Sequence, residues 1–266
     1  MQIPDESRPQ CVLSSQRRTT YFYATISSPQ AGEEAAREAP RGYALDVNDI
    51  DTVTQALGHL KVFPLPKGVL LPGSALPLHI FEARYRAMVE AALEGDRVLS
   101  VAMLAPGWEK DYEGRPALRP IAGVGIMEEA EKLPDGRWNI LVRGVARARF
   151  LSEHAPDKPF RELAAELADE PPADDRAQVD LVRRAVLQLT ESLPEELAQA
   201  LATAAARIPD PGTLCDVVAA AVLDEPEDMQ AVLETLDVQA RVRRLLGEIG
   251  GLLLAKYPAP PDGLLS

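Results

Sequence analysis

Cysteine is nearly absent: Cys11 and Cys215 are the two in 266 residues. One stands in a polar stretch and the other in a helical one, far apart, so the chain has no disulfide framework. It also has no CxxC pair to hold zinc. The pattern points to a reducing compartment, with Cys215 as a small buried apolar residue. Aromatic residues are scarce, at 5%, and the core must be built from Leu, Val and Ala. Basic residues are outnumbered, with Lys+Arg 28 against Asp+Glu 41 and a net charge of −13. Such a surface repels phosphate backbones and anionic lipid, which argues against nucleic-acid and membrane partners. No apolar run reaches the roughly 18 residues of a transmembrane helix. The first residues lack the basic start and continuous apolar stretch of a secretory signal, so a cytoplasmic location is expected.

What is present falls into three textures. Residues 1–58 are rich in Ser, Thr, Pro, Gln and charge, without a sustained period. A disordered or loosely attached extension is expected there, with Tyr21–Ile26 (YFYATI) its one β-like patch. Residues 59–172 read as a β-rich unit. Lys61–Leu65 and Arg97–Leu104 are strand-like. Between them, Phe81, Tyr85, Met88, Val89 and Ala92 share one helical face, and Gly95 is expected to end that helix. Alternating Val124 and Ile126, then Trp138, Ile140 and Val142, flank Asp135-Gly136, a hairpin turn signal. Phe160–Leu167 fits strand or helix on propensity alone.

After Pro171-Pro172 the chain carries five apolar stripes at helical spacing, giving a bundle over residues 173–257 and a tail over 258–266. The stripes begin at Val179, Leu197, Leu214, Met229 and Val238. Asp210, Asp224 and Asp237 stand where N-caps belong, and Pro211 and Pro226 stand near first-turn positions. Strands first and helices second give an α+β fold, and the short loops between stripes favour antiparallel packing.

The most informative stretch is Val62–Glu90, VFPLPKGVLLPGSALPLHIFEARYRAMVE. Pro64, Pro66, Pro72 and Pro77 exclude a long helix or a central strand and require short extended pieces that feed one helix. Phe63–Pro66, Val69–Gly73, Leu76–Val89, Pro120–Phe150 and Asp237–Leu246 together closely resemble the N-terminal domain of Lon proteases, the LON substrate-binding domain. The resemblance covers nearly all of residues 60–255. It implies a β pseudo-barrel similar to the PUA fold, followed by a helical subdomain, and it implies recognition of protein substrates.

The catalytic parts of a full-length Lon protease do not appear in the sequence. A phosphate-binding loop needs a Gly-Lys pair, and the chain has none. A Ser–Lys protease site needs a serine beside a lysine that can lose its proton. Past Pro172 the serines are Ser192 and Ser266 and the lysine is Lys256, and neither serine stands in a Gly-rich turn. The chain is therefore expected to be no enzyme and to need no cofactor.

Other constellations read as structural. His79 and Glu82 are too few for a metal site; a hydrogen-bonded histidine and a first-turn carboxylate explain them. His59 and His154 stand far off in sequence. Glu128, Glu129, Glu131 and Asp135 surround a hairpin and suit a solvated strand edge. Arg143, Arg147 and Arg149 make a basic stripe, for which pairing with carboxylates is the plainer reading and RNA the rival. Arg84 and Arg86 fit the wet face of their helix. Val69, Leu70, Leu71 and Leu76 lie in proline-rich connections and are the expected peptide-binding residues, as an exposed apolar patch beside a strand edge that can accept an extended peptide. The expected partners are unfolded or exposed protein segments. The alternatives are an adaptor docking on a separate protease, or self-association.

Overall fold

The computed structural model describes residues 47–111, 114–171 and 176–256. It divides between Asp169 and Glu170 into two compact units, just ahead of the expected boundary at Pro172. Cys11, the Tyr21–Ile26 patch and the tail lie outside the described residues.

In the first unit, helix α1 (Val47–Ala56) runs into a 3-10 turn (Leu57–His59). Residues 47–58 belong to the stretch expected to be disordered or loosely attached, and for these residues the expectation is corrected: they are helical and packed on the sheet. Val53, Ala56 and Leu57 recur at helical spacing and are buried in the core with Leu60, Val62 and Val98. Asp49 pairs with Arg143 on the sheet at 3.0 Å, which fastens the helix in place.

The strands are β1 (Leu60–Leu65), β2 (Ala75–Ile80), β3 (Val98–Met103), β4 (Ile121–Lys132), β5 (Trp138–Glu153) and β6 (Arg161–Leu167), with α2 (Ala83–Leu93) between β2 and β3. Their order is β2-β5-β4-β3-β1-β6, and β5 also pairs with β6. The long β5 makes this possible. Its first part, Trp138–Arg143, pairs with β2, and its last part, Ala148–Glu153, pairs with β6. Five strands thus close into a ring and β2 remains as an outlying strand. Closure removes sheet edges, which leaves the outer side of β2 as the edge that needs managing. Pro77 stands there, opposite Leu141, and blunts it by having no N–H to offer.

Alternation sorts the strands onto two cores. Phe63, Leu65, Leu99, Val101, Ile140 and Val142 join the cluster under α2, whose Tyr85, Met88, Val89 and Ala92 are buried as expected. Their neighbours Val62, Val98, Ala102 and Val145 face the cluster that α1 completes. All of β3 is buried, in keeping with its unbroken apolar run. The hairpin turn signal holds: Gly136 has φ 82° between β4 and β5. Phe160–Leu167 resolves to a strand because its pairing partners on β1 and β5 are available. Both ends of α2 differ from expectation: Phe81 lies ahead of the Glu82 N-cap, outside the helix, though it packs against the same core. α2 stops at Leu93 with Glu94 as its C-cap, and the left-handed residue beyond it is Arg97 (φ 61°), not Gly95. Hydrogen bonds from the Arg97 guanidinium to the Met127 and Glu128 carbonyls, at 2.7 and 3.1 Å, hold that conformation.

The second unit contains α3 (Arg176–Thr190), α4 (Glu195–Arg207), α5 (Pro211–Val222), α6 (Pro226–Glu234) and α7 (Val238–Lys256), one helix for each stripe. Cys215 is fully buried, as expected. Asp210 caps α5 by accepting from Thr213 N at 2.6 Å, and Asp237 accepts from Ala240 N at 2.7 Å. Asp224 does not cap: α6 starts from Glu225, without a side-chain cap bond, and Pro226 sets its first turn.

Candidate functional site

The connection from β1 to β2 was the expected binding surface, and the structure buries it. Val69 is 7% exposed, Leu70 0%, Leu71 1% and Leu76 4%. The physical reason lies in the glycines of β4 and β5. A Cβ at Gly123 would stand 1.8 Å from Leu70 O, and one at Gly144 would stand 2.2 Å from Leu71 O. The absence of side chains at these two positions lets the leucine backbone lie directly on the strands. Gly73 N then donates to Gly144 O at 2.9 Å, and Gly144 N donates to Ser74 O at 2.8 Å. Prolines made this run non-helical, but they did not place it at the surface.

The other constellations resolve as pairings. The Arg137 guanidinium donates to His79 Nε2 at 3.2 Å, so the ring carries its proton on Nδ1 and donates it to Asn139 Oδ1 at 2.8 Å. Glu82 pairs with Arg84 at 2.9 Å. No group of three or more His, Cys, Asp or Glu side chains among the described residues is arranged to hold a metal. His59 and His154, distant in sequence, stack with centroids 4.3 Å apart, and His154 Nε2 donates to Gly58 O at 2.7 Å. Pairing of Leu60 with Leu163 brings their two strands together, and no local spacing could have announced it.

Around the hairpin, Asp135 is held by Arg137 at 2.6 Å, and this hydrogen bond keeps its carboxyl below the ordinary range. Arg143, 7% exposed, lies between Glu128 at 2.5 Å and Asp49 at 3.0 Å. Burial alone would lower its pKa, and the two carboxylates outweigh that and raise it. Arg147 is 1% exposed and Arg149 sits 3.7 Å from Glu166. Two of the three arginines are thus buried and Arg149 alone stays partly exposed, facing Glu166, so the stripe offers no row of phosphate contacts.

A recess that no motif announced is formed where five segments meet. β1 supplies Pro64, α2 supplies Arg84 and Tyr85, Leu104 follows directly on β3, residues 114–116 form one lip and residues 159–161 form another. Its volume is about 50 Å³, enough for a side chain or a few waters. That is well below the roughly 300 Å³ at which small-molecule sites begin. Phe63 supports the floor by an edge-on contact with Tyr85, ring centroids 4.6 Å apart. The Arg84 guanidinium lies 4.8 Å from the Tyr85 ring centre, in cation–π range. Lys158 Nζ lies 5.6 Å from the ring of Phe160.

Arginine dominates the rim. Arg161 grips Glu153 with Nε and Nη2, at 2.9 and 2.6 Å, and Pro116 O with Nη1 at 2.7 Å. Arg115 Nη1 reaches the same Glu153 at 2.5 Å. Partial burial pushes the Glu153 carboxyl up, but the hydrogen bonds and charges of Arg161 and Arg115 outweigh this and hold it below the ordinary range. The result is a recess walled by proline and aromatic rings with a cationic lip. It contains no nucleophile–base pair, and its form suits an apolar side chain presented by another polypeptide.

Comparison with known proteins shows the family and the fold. The family model of the ATP-dependent protease La (LON) substrate-binding domain matches residues 59–249. The chain is 32% identical over 194 residues to the Lon protease of Roseiflexus castenholzii, covering 70% of this chain and 23% of that protein. It is 30% identical over 193 residues to the Lon protease of Escherichia coli strain K12, covering 70% and 24%. The chain thus spans about a quarter of the length of these curated relatives. The same fold occurs in the solved N-terminal domain of Mycobacterium avium complex Lon protease. The TM-score there is 0.59 at 20% identity, covering 72% of this chain and 98% of that one. It also occurs in a Lon N-terminal domain protein from Xanthomonas campestris, with a TM-score of 0.53, 20% identity and coverage of 71% and 97%.

Proposed function

The chain belongs to the LON substrate-binding domain family, and from that premise we propose that it recognises unstructured or apolar segments of other proteins and catalyses no reaction itself. Recognition in the service of proteolysis is the coarse role the family carries. The recess of Pro64, Tyr85, Pro159 and Phe160 is the observation that carries the finer one. Its ring-lined wall is side-chain sized, its elements are fixed by the barrel, and a single seat of this size gives weak binding that copies acting together would multiply. No helix among the described residues is long and apolar enough to cross a membrane, and the reading places the ligand in water.

Fluorescence anisotropy of a labelled, permanently unfolded polypeptide against the full chain tests this reading. Pro159 is exposed at the lip of the recess, so Pro159→Glu places a carboxylate against an incoming apolar side chain without disturbing the core. Saturable binding that weakens at least about fivefold in Pro159→Glu is expected, the size of a disturbed contact of roughly 1 kcal/mol. Leu187→Asp, at a position 59% exposed on α3, should leave binding unchanged. Absence of binding by the folded chain would overturn the reading and favour an adaptor that docks on a separate protease.

A further inference from the structure

We propose that the recess selects an apolar or aromatic side chain that carries a carboxylate beside it in the same segment. This rests on the peptide-recognition reading above and adds the charge of the ligand to it.

The cations around the recess are not equally engaged. Arg84 faces Glu82, and Lys158 faces Glu162. Arg115 and Arg161 share the single carboxylate of Glu153. Asp111 also packs its carboxylate against Gly114 at the lip, so what sets one cation apart is unused donors and not a net excess of charge. That cation is Arg115. Arg161 is the more fully engaged, with its Nε and Nη2 on Glu153 and its Nη1 on Pro116 O. Arg115 contributes only Nη1 to Glu153, and its side chain remains 35% exposed. Among the described residues the remaining donors of its guanidinium are unused. A planar guanidinium with spare donors is the group best fitted to accept a carboxylate. Here it stands at the lip of a recess whose walls are proline and aromatic rings.

The distant field gives the opposite preference. A protein of this net charge attracts basic segments and repels acidic ones over a Debye length of about 8 Å at physiological salt. A preference for an acidic neighbour therefore has to arise from the unused donors of Arg115, and the sign of the preference separates the two.

The test uses the full chain and three short labelled Gly/Ser-rich peptides, read by anisotropy at physiological salt. One carries Phe beside Asp, one carries Phe beside Lys, and one carries Ser beside Asp. The Phe–Asp peptide is expected to bind about threefold tighter than Phe–Lys, the scale of one partly exposed ion pair, with Ser–Asp weakest. Arg115→Glu, at the exposed lip, should reverse the order of the two Phe peptides while both remain better than Ser–Asp. Equal binding of the two Phe peptides, or a preference for Lys, overturns the charge selection and leaves peptide recognition standing. Ser–Asp binding as well as Phe–Asp overturns the recess as an apolar seat. Failure of every peptide to bind overturns both the inference and the reading beneath it.

Discussion

A methyl group on Gly123 would meet the carbonyl oxygen of Leu70 at 1.8 Å. No real Cβ tolerates that approach, and the obstacle is backbone, which cannot rotate away. The proline-rich connection is therefore pinned under the barrel by glycines in β4 and β5, and its leucines serve as core. Gly123→Ala should cost about 3 kcal/mol or more, in the range of overpacking and backbone strain, as measured by urea denaturation. A loss below about 1 kcal/mol would mean that the connection can lift off the sheet.

Gly247 in α7 has the reverse situation, since a Cβ there meets nothing within 4 Å. It is exposed on a regular helix. Gly247→Ala should stabilise the protein by roughly 0.5–1 kcal/mol through helix propensity alone. A higher thermal midpoint is the expected reading; a lower one would show that another surface needs this position bare.

Periodic features were legible in the sequence because they are local. The stripes that became α3–α7, the Asp135-Gly136 turn and the buried face of α2 follow from spacing along one segment. The burial of Leu70 and Leu71 was not legible, because it depends on glycines more than fifty residues away. The same limit hid α1, whose short apolar face acquires meaning from Arg143 and the far core cluster. It hid the recess too, since Pro64, Tyr85, Pro116 and Phe160 come together only once the ring of strands closes. Leu71→Asp would accordingly report a broken core and not a lost ligand contact.

Glu153 makes the lip of the recess sensitive to acid. Its folded-state pKa is lowered from 4.5, because Arg161 and Arg115 outweigh the effect of burial. A carboxyl depressed on folding contributes stability that is fully present above the unfolded value and is lost as pH falls through the folded one. Stability of the wild-type chain should therefore decline below about pH 4.5 more steeply than that of Glu153→Gln, while at neutral pH the wild type is the more stable. Denaturation midpoints across that range check the slope. Parallel curves for the two proteins would show that the pairing with both arginines does not persist in solution.

In the helical unit, Arg241 is fully buried, and Asp216, 1% exposed, accepts from its Nη1 at 3.2 Å. Glu170 accepts from Nη2, and the carbonyls of Thr235 and Leu236 accept from the same guanidinium at 2.9 and 3.3 Å. Arg241 therefore ties the start of α7 to α5 and satisfies the carbonyls that α6 leaves open at its end. Arg241→Met takes from Asp216 the guanidinium that faces it in the interior, and breaking a buried pair from one side costs about 3–5 kcal/mol. Asp216→Leu combined with Arg241→Met removes both charges, so the double variant should recover a large part of that loss, though the Thr235 and Leu236 carbonyls keep it short of full recovery. A double-mutant cycle in urea measures the coupling. If Arg241→Met alone cost less than about 1 kcal/mol, Asp216 would have to be hydrated or protonated without its partner, and the tie between α5 and α7 would rest on packing alone.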